Sequence, residues 1–279
     1  VFWRPEDAEK ARDELKKVRS ALTDELERRL RASLGTIPAQ PLEPRPWQKS
    51  APDLPGLWLK GGEPLLVNLG SDGTIGIRPA GPPFGFARLL PEQWSPVAQA
   101  SRILDNATGH PLPLGRTNGM DYGPSTGGFV AFRSGDKVRQ EGVTRTATRW
   151  FKETGELWGI AACFFNDGDP RVLATQYAIE RWIGWIEGNI RVATALGGQG
   201  PWHLKLGLEG LSGTAWPNRF GRMEGTARAL ESRAEFETSF DDSSRDAIVE
   251  VVRQGFNLVL ECYGFDPMEA AEFRQFAQI

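Results

Sequence analysis

The chain of 279 residues is 40% hydrophobic and 25% charged, which is the composition of a folded globular protein. Its 33 Lys and Arg stand against 36 Asp and Glu, and this net charge of −3 argues against a general nucleic-acid coat but allows a local basic face. No apolar run approaches the roughly 18 residues that span a bilayer, and the sequence shows no secretory leader. We therefore expect a cytoplasmic protein without a membrane partner.

Residue types that bind metals and cofactors are scarce. The two cysteines, Cys163 and Cys262, lie in apolar stretches, which is typical of buried free thiols. The two histidines, His110 and His203, are too few for a His-rich metal site, and no Cys-x-x-Cys or His-Glu-x-x-His motif is present. Glycine-rich nucleotide loops are also missing from the sequence. We predict no metal, no cofactor and no assignable catalytic residue.

The first predicted element is a long charged helix over residues 6–34. Apolar residues recur there every three or four positions, from Ala8 to Leu30, and Gly35 ends the pattern. The stripe is narrow and its surroundings carry charges of both signs, which favours an antiparallel packing element or a short coiled-coil seam. We take residues 1–35 as a first domain, through which the chain would bind a protein partner or a second copy of itself.

Residues 36–126 form a second predicted region, a proline-rich connector followed by a loop-rich β segment. Six prolines between residues 38 and 55 predict a stiff, extended connector. The predicted elements are then strands at 65–69 and 73–77, a rigid turn at 81–85 and a short helix at 96–104. We expect the remainder to be loop.

Residues 127–279 form the third predicted domain. Its predicted strands are 127–137, 144–152, 157–165, 202–211 and 227–240, and its predicted helices are 171–196, Ser243 to Tyr263 and a short one capped by Asp266. The order β-β-β-α-β-β-α is typical of an antiparallel sheet with helices on one face. The predicted fold class is thus α+β, with a long N-terminal helix, a loop-rich β segment and an antiparallel sheet with two helices.

Two basic segments of this domain are candidate contacts for nucleic acid or a partner. The first has only two acidic residues and contains five cations, which are Arg133, Lys137, Arg139, Arg145 and Arg149. The second is a loop that combines aromatic side chains with arginines, through Trp216, Arg219 and Arg222. On one sheet face the first set would contact a phosphate backbone, and a solvated sheet face is the alternative.

Histidines offer a competing, enzymatic interpretation. His110 follows Asp105 in the loop-rich region 80–126, where with Asp121 it would form an acid–base group, and a histidine in a surface loop is the alternative. His203 faces away from Trp202 on its predicted strand, which favours a polar sheet face.

Several stretches, read in order, resemble one known family. They are Glu27-Arg28-Arg29-Leu30 at the end of the charged helix, the proline-rich connector, and residues 115–120, 128–135, 207–213 and 261–264. This order resembles the C-terminal region of bacterial proteins that carry an N-terminal Schlafen-type AlbA domain. The resemblance implies an accessory domain of a nucleic-acid-associated protein of regulation or defence. The AlbA signature itself is not found, so no catalytic residue carries over, and the start at Val1 leads us to expect a longer protein.

Three hypotheses follow from the sequence. The leading one is a non-catalytic interaction module of a cytoplasmic, nucleic-acid-associated bacterial protein. The second is a pure assembly domain that pairs through residues 6–34 and touches no nucleic acid. The third is an enzyme whose site lies in the loop-rich region 80–126.

Overall fold

The computed structural model describes residues 64–106, 109–115, 118–217 and 227–279. All of these residues belong to one compact unit. The predicted N-terminal helix over residues 6–34 and the proline-rich connector lie outside the described residues.

One ten-stranded sheet organises the described part of the chain. Its strands are β1 (Leu65–Asn68), β2 (Thr74–Pro79), β3 (Phe84–Trp94), β4 (Met120–Ser125), β5 (Gly128–Arg133), β6 (Val143–Thr144), β7 (Thr146–Phe151), β8 (Leu157–Ala161), β9 (Gly198–Glu209) and β10 (Arg233–Phe240). Their order across the sheet is β10-β9-β3-β8-β7-β5-β4-β1-β2-β6. The β2–β6 pair is parallel, whereas the other neighbouring strands are antiparallel.

Helices connect or follow these strands. They are α1 (Ala100–Leu104), α2 (Asp136–Glu141), α3 (Thr175–Ala195), α4 (Arg245–Cys262) and α5 (Ala270–Ala277). At the start of α4 the Ser244 hydroxyl accepts a hydrogen bond from the Ala247 N–H at 3.3 Å, so the cap is one residue later than predicted. The last helix, α5, follows Glu269 rather than Asp266. Among the described residues, no helix is long and apolar enough to cross a membrane.

The predicted architecture is wrong in its central part. Strands β1 to β4 come from the segment predicted to be loop-rich, yet they share one mixed sheet with β5 to β10. After residue 127 the order is β-α-β-β-β-α-β-β-α-α, not β-β-β-α-β-β-α. The main cause is β3, whose residues 84–91 are all buried, so that no alternation of apolar and polar residues marks it as a strand.

Around β8 both faces of the sheet are covered, and side chains alternate between two cores. Along β8, Leu157 and Ala161 join the main core beneath α3, α4 and α5, which lies on the helix face of the sheet. Trp158 and Ile160 point the other way, into a smaller core on the opposite face that is closed by residues of β1 and β2, among them Leu65. This second layer decides which charged side chains of the sheet can meet solvent.

Two tryptophans of α3 attach that helix to the middle of the sheet. Trp182 donates from Nε1 to the Phe86 carbonyl at 3.1 Å, and Trp185 donates from Nε1 to Thr148 Oγ1 at 2.7 Å. Both rings are fully buried. Gly159 permits this approach, because a Cβ there would lie 2.7 Å from Trp185 Nε1. Both tryptophans thus pack the core and satisfy their ring N–H groups.

Candidate anion-binding site

A cavity of about 640 Å³ opens at one end of the sheet. Its walls come from the loop between β2 and β3, the end of β5, the start of β7 and the segment after β8. Strands β3, β8, β7 and β5 are consecutive antiparallel neighbours, so the end of one lies beside the start of the next. Residues distant in sequence are thereby brought to one concave surface, the kind of place where ligands bind.

Three arginines contribute to this cavity. Arg133 is the last residue of β5, and Arg145 precedes the first residue of β7. The register pairs Phe132 with Ala147, which places both arginines at the same end of these neighbouring strands. Arg171 comes from the segment after β8, beyond the loop 166–170. We call Arg133, Arg145 and Arg171 the arginine triplet.

Arg145 is oriented by several acceptors. Its Nη1 donates to both carboxylate oxygens of Asp167, at 2.8 and 2.7 Å. Its Nη2 lies 3.4 Å from the carbonyl oxygens of Ala162 and Phe165. The side chains of Arg145 and Asp167 are 42% and 78% exposed, and an ion pair this exposed contributes little to stability. An incoming anion can therefore take the place of Asp167 at a guanidinium that is already oriented.

The other two arginines leave donors directed at the cavity. Arg171 donates from Nη1 to the Pro82 carbonyl at 3.1 Å, which fixes one side of its guanidinium. In the part of the chain that the structure describes, no hydrogen bond or ion pair holds the Arg133 guanidinium. The acidic side chains of the lining are Glu141 and Asp167, so the described charges sum to +1. The cavity therefore favours an anionic ligand.

Apolar residues line the rest of the cavity. Val138, Val143, Ala162 and Phe165 contribute to it, and Phe165 is only 3% exposed. The one hydroxyl side chain of the described lining is that of Ser134, which donates to the Gly119 carbonyl at 2.9 Å rather than to a base. The arrangement suits binding of a ligand with both an anionic and an apolar part.

Arg149, a further predicted contact residue, lies inside the protein. It is 5% exposed, and its guanidinium sits 4.5 Å from the ring centroid of Phe151. Its Nη2 donates to the Thr126 carbonyl at 2.5 Å, and burial lowers the pKa of Arg149 to about 10. This residue belongs to the core on the opposite face of the sheet and does not reach the cavity.

The second predicted contact segment is described only at its start. Trp216 packs in an aromatic cluster, with ring centroids 5.2 Å from Tyr263 and 5.1 Å from Phe265. Arg219 and Arg222 lie outside the described residues, as do the side chains of Lys137 and Arg139. Of the eight predicted contact residues, the structure thus brings Arg133 and Arg145 to the cavity.

Two residues of the enzymatic interpretation, His110 and Asp121, do not face each other. The His110 ring stacks on Tyr122, with centroids 4.4 Å apart and planes 8° apart. Asp121 is the neighbour of Tyr122 on β4, so its side chain points to the other side of the strand. The structure therefore separates Asp121 from His110.

Residues 123–127 read Gly-Pro-Ser-Thr-Gly, which fits the Gly-x-Ser-x-Gly pattern of strand-to-helix nucleophile turns. Here the segment connects β4 to β5 as a β-hairpin, and the Ser125 hydroxyl oxygen is buried. That context does not expose a nucleophile, because no helix follows the serine.

Sequence reasoning did not find Arg171. It is a single arginine at the end of a loop, and no local pattern connects it with Arg133, which lies in another element. Arg171 could have been identified only if the position of β3 had been known. The loop before β3 places the Pro82 carbonyl, to which Arg171 donates.

Comparisons with known proteins assign no family to this chain: no family model, no curated protein and no solved structure matches it. The resemblance to proteins with a Schlafen-type AlbA domain stays a prediction.

Proposed function

We propose that this chain is a binding module that takes a phosphate group of a single-stranded nucleic acid into the cavity at the end of the sheet. The observation that carries the proposal is the arginine triplet, three guanidinium groups from separate elements on one concave surface. The cavity binds and does not catalyse, in keeping with an accessory domain of a nucleic-acid-associated protein.

Arginine suits this ligand because its planar guanidinium matches two oxygens of a phosphate at once. Arg145 already binds a carboxylate here, since its Nη1 contacts both oxygens of Asp167. A phosphate in the same place would receive the same pair of hydrogen bonds. Arg133 and Arg171 would add charge from the neighbouring walls.

The shape of the site favours a single strand over a duplex. A volume of about 640 Å³ lies within the range of small-molecule sites, so it accommodates about one nucleotide. A duplex is read instead by an element that projects into its groove. The apolar lining offers a surface for an unstacked base, which an extended single strand presents.

A cytoplasmic location is part of this proposal. Both cysteines of the described chain are free thiols, which is typical of the reducing cytoplasm. The net charge of −3 is compatible with a local contact, because a binding module needs to neutralise only the phosphates that it touches.

The test is fluorescence anisotropy with a 3′-labelled 20-nucleotide oligo(dT) carrying a 5′ phosphate, titrated at several salt concentrations. Arg133→Ala, Arg145→Ala and Arg171→Ala should each weaken binding by about 10-fold, and each should lower the salt slope by about 0.7. Failure of the unmodified protein to bind the oligonucleotide would overturn the proposal.

Arg245→Ala is the matched control. Like Arg145, this exposed arginine donates from Nη1 to both oxygens of a carboxylate, those of Glu187 at 2.9 and 3.1 Å. Arg245 lies at the start of α4 and does not line the cavity. Its replacement should leave affinity within about 2-fold of the original. An equal loss in both variants would show that total charge, not the cavity, sets binding.

A further inference from the structure

We propose a second site, on the sheet face opposite the helices, where Ser239 is a nucleophile for ester hydrolysis, activated by His203 and Glu92. The site goes beyond the nucleic-acid binding proposed for the cavity and shares no residue with it. Its substrates would be small esters, because Ser239 is exposed on a strand and does not line the cavity of the arginine triplet.

Three adjacent strands bring the residues together. Ser239 on β10 is the direct cross-strand partner of His203 on β9, and β3 with Glu92 lies on the other side of β9. The Ser239 hydroxyl oxygen is 2.7 Å from His203 Nδ1. His203 Nε2 contacts a carboxylate oxygen of Glu92. A register shift between Pro91 and Gln93 occurs in β3 at this point.

The hydrogen-bonding capacity of these groups determines which atom donates in each of the two hydrogen bonds. An ionised carboxylate only accepts, so Nε2 of a neutral His203 carries the hydrogen that Glu92 receives. Nδ1 is then an acceptor, and the Ser239 hydroxyl donates to it. This is the nucleophile–base–carboxylate order of serine hydrolases, with the two ring nitrogens exchanged.

The nucleophile is accessible, and the imidazole is the more buried partner of its carboxylate. Ser239 is exposed, so an electrophile can reach its oxygen. The His203 side chain is 20% exposed and the Glu92 side chain is 52% exposed. Leu90 pairs with His203 in the β3–β9 register and is buried, which places apolar surface beside the imidazole.

The reaction balances with water as the only co-reactant. Ser239 Oγ attacks the ester carbonyl carbon while its proton passes to His203 Nδ1, and Glu92 stabilises the imidazolium. The bond from the carbonyl carbon to the alcohol oxygen breaks, and His203 returns the proton to that oxygen. Water then repeats the sequence on acyl-Ser239, releasing a carboxylic acid and the free serine.

A fluorophosphonate probe tests the nucleophile directly, with the labelled peptide identified by mass spectrometry on the full chain. We expect label on Ser239, its loss in Ser239→Ala, and no change in Ser71→Ala. Ser71 is the control because it is also exposed and its hydroxyl bonds a carboxylate, that of Asp72 at 3.5 Å, without a histidine between them.

His203→Gln should slow labelling by about 100-fold, because it removes the base, and Glu92→Gln by about 10-fold, because the carboxylate no longer fixes the tautomer. Glu92→Asp should recover part of that loss, which a merely structural residue would not do. Circular dichroism checks that each variant is folded. An unlabelled Ser239 in the unmodified protein, or a labelling rate that His203→Gln leaves unchanged, would overturn the proposal. The assay contains no nucleic acid, so its outcome is independent of the cavity.

Discussion

Arg88 on β3 donates from Nε to Glu156 Oε1 at 2.5 Å, and the two side chains are only 4% and 0% exposed. The Arg88 guanidinium also lies 4.1 Å from the ring centroid of Trp158. Glu156 immediately precedes β8, the strand that pairs with β3, so this ion pair joins two central strands. Removal of both charges from water is costly, and each therefore depends on the other for compensation.

Glu156→Gln should lower the free energy of unfolding by about 3–5 kcal/mol, because it removes a negative charge that is in contact with a buried guanidinium. Urea unfolding followed by tryptophan fluorescence measures this. The exposed pair of Arg245 and Glu187 is the comparison, and Glu187→Gln should cost less than about 1 kcal/mol. The double variant Arg88→Met with Glu156→Leu should lose less than Glu156→Gln alone. Equal losses of unfolding free energy in Glu156→Gln and Glu187→Gln would contradict the assigned role of burial.

Two glycines should respond in opposite directions to replacement by alanine. At Gly159 the new Cβ would lie 2.7 Å from Trp185 Nε1 and 2.9 Å from Leu114 Cβ, so Gly159→Ala should cost about 1–3 kcal/mol. At Gly184, inside α3, nothing lies within 4 Å of the new Cβ. Gly184→Ala should therefore stabilise the protein by about 0.5–1 kcal/mol through helix propensity. Thermal unfolding measures the change in midpoint temperature for each variant. A change of the same sign in both variants would contradict the packing seen at Trp185.

Elements with a clear hydrophobic period could be predicted from the sequence. The apolar stripe over residues 171–196 corresponds to α3 at Thr175–Ala195, and the pattern over 157–165 to β8 at Leu157–Ala161. The first segment carries an apolar stripe of helical period and the second is a short apolar run, so local sequence carries the signal in both.

Strand β3 could not be predicted in this way. It lies between β8 and β9 and is buried on both faces from Phe84 to Pro91, so its residues show no period of two. Gly85 and Pro91 within it also resemble turn residues. Without β3 the sheet divides into two apparent parts, which explains the error in the predicted architecture. Glu92 was missed for the same reason.

The candidate cavity shows a second limit of sequence reasoning. Arg145 and Arg149 belong to the same basic segment, and nothing local distinguishes them. Arg145 precedes β7 at the end of the sheet, whereas Arg149 lies within β7 under the layer formed by β1 and β2. Arg149 is buried by strands such as β1 (Leu65–Asn68), which lie more than 70 residues away in sequence. Such burial is a long-range property. The local charge pattern therefore predicts a basic surface but not which arginines reach it.

Cys262 should make stability depend on pH in the alkaline range. Burial raises the pKa of its thiol from 9.0 to about 11, and the nearby charges of Glu231 and Glu261 act in the same direction. The folded protein then holds this proton more tightly than the unfolded chain. The Cys262 contribution is therefore fully present below pH 9 and is lost as the pH rises from 9 to 11.

Cys262→Ala tests this directly. The substitution removes the hydrogen bond from Sγ to the Arg233 carbonyl at 3.5 Å, which costs the variant stability at neutral pH. Since alanine does not titrate, the difference in unfolding free energy between the two proteins should shrink as the pH rises from 9 to 11. Urea unfolding at half-unit pH steps measures that difference. A difference independent of pH would contradict the assigned cause.

Asp167→Asn should tighten binding of the single-stranded oligonucleotide by about 3- to 10-fold. Asp167 occupies the two-oxygen position at Arg145 that a phosphate would take, and its negative charge opposes the ligand. Because Asp167 is 78% exposed, the loss of the ion pair should change the free energy of unfolding by less than about 1 kcal/mol. Anisotropy titrations at fixed salt measure the affinity.

Glu187→Gln is the matched control for this last prediction, since it also removes a carboxylate that binds an arginine through both oxygens. It raises the net charge by the same unit but lies away from the cavity, so affinity should rise by less than about 2-fold. If the two variants gain equally, long-range charge explains the effect and Asp167 does not compete with the ligand. If Asp167→Asn instead weakens binding, the carboxylate acts by orienting Arg145, and the phosphate must approach from the side of Arg133.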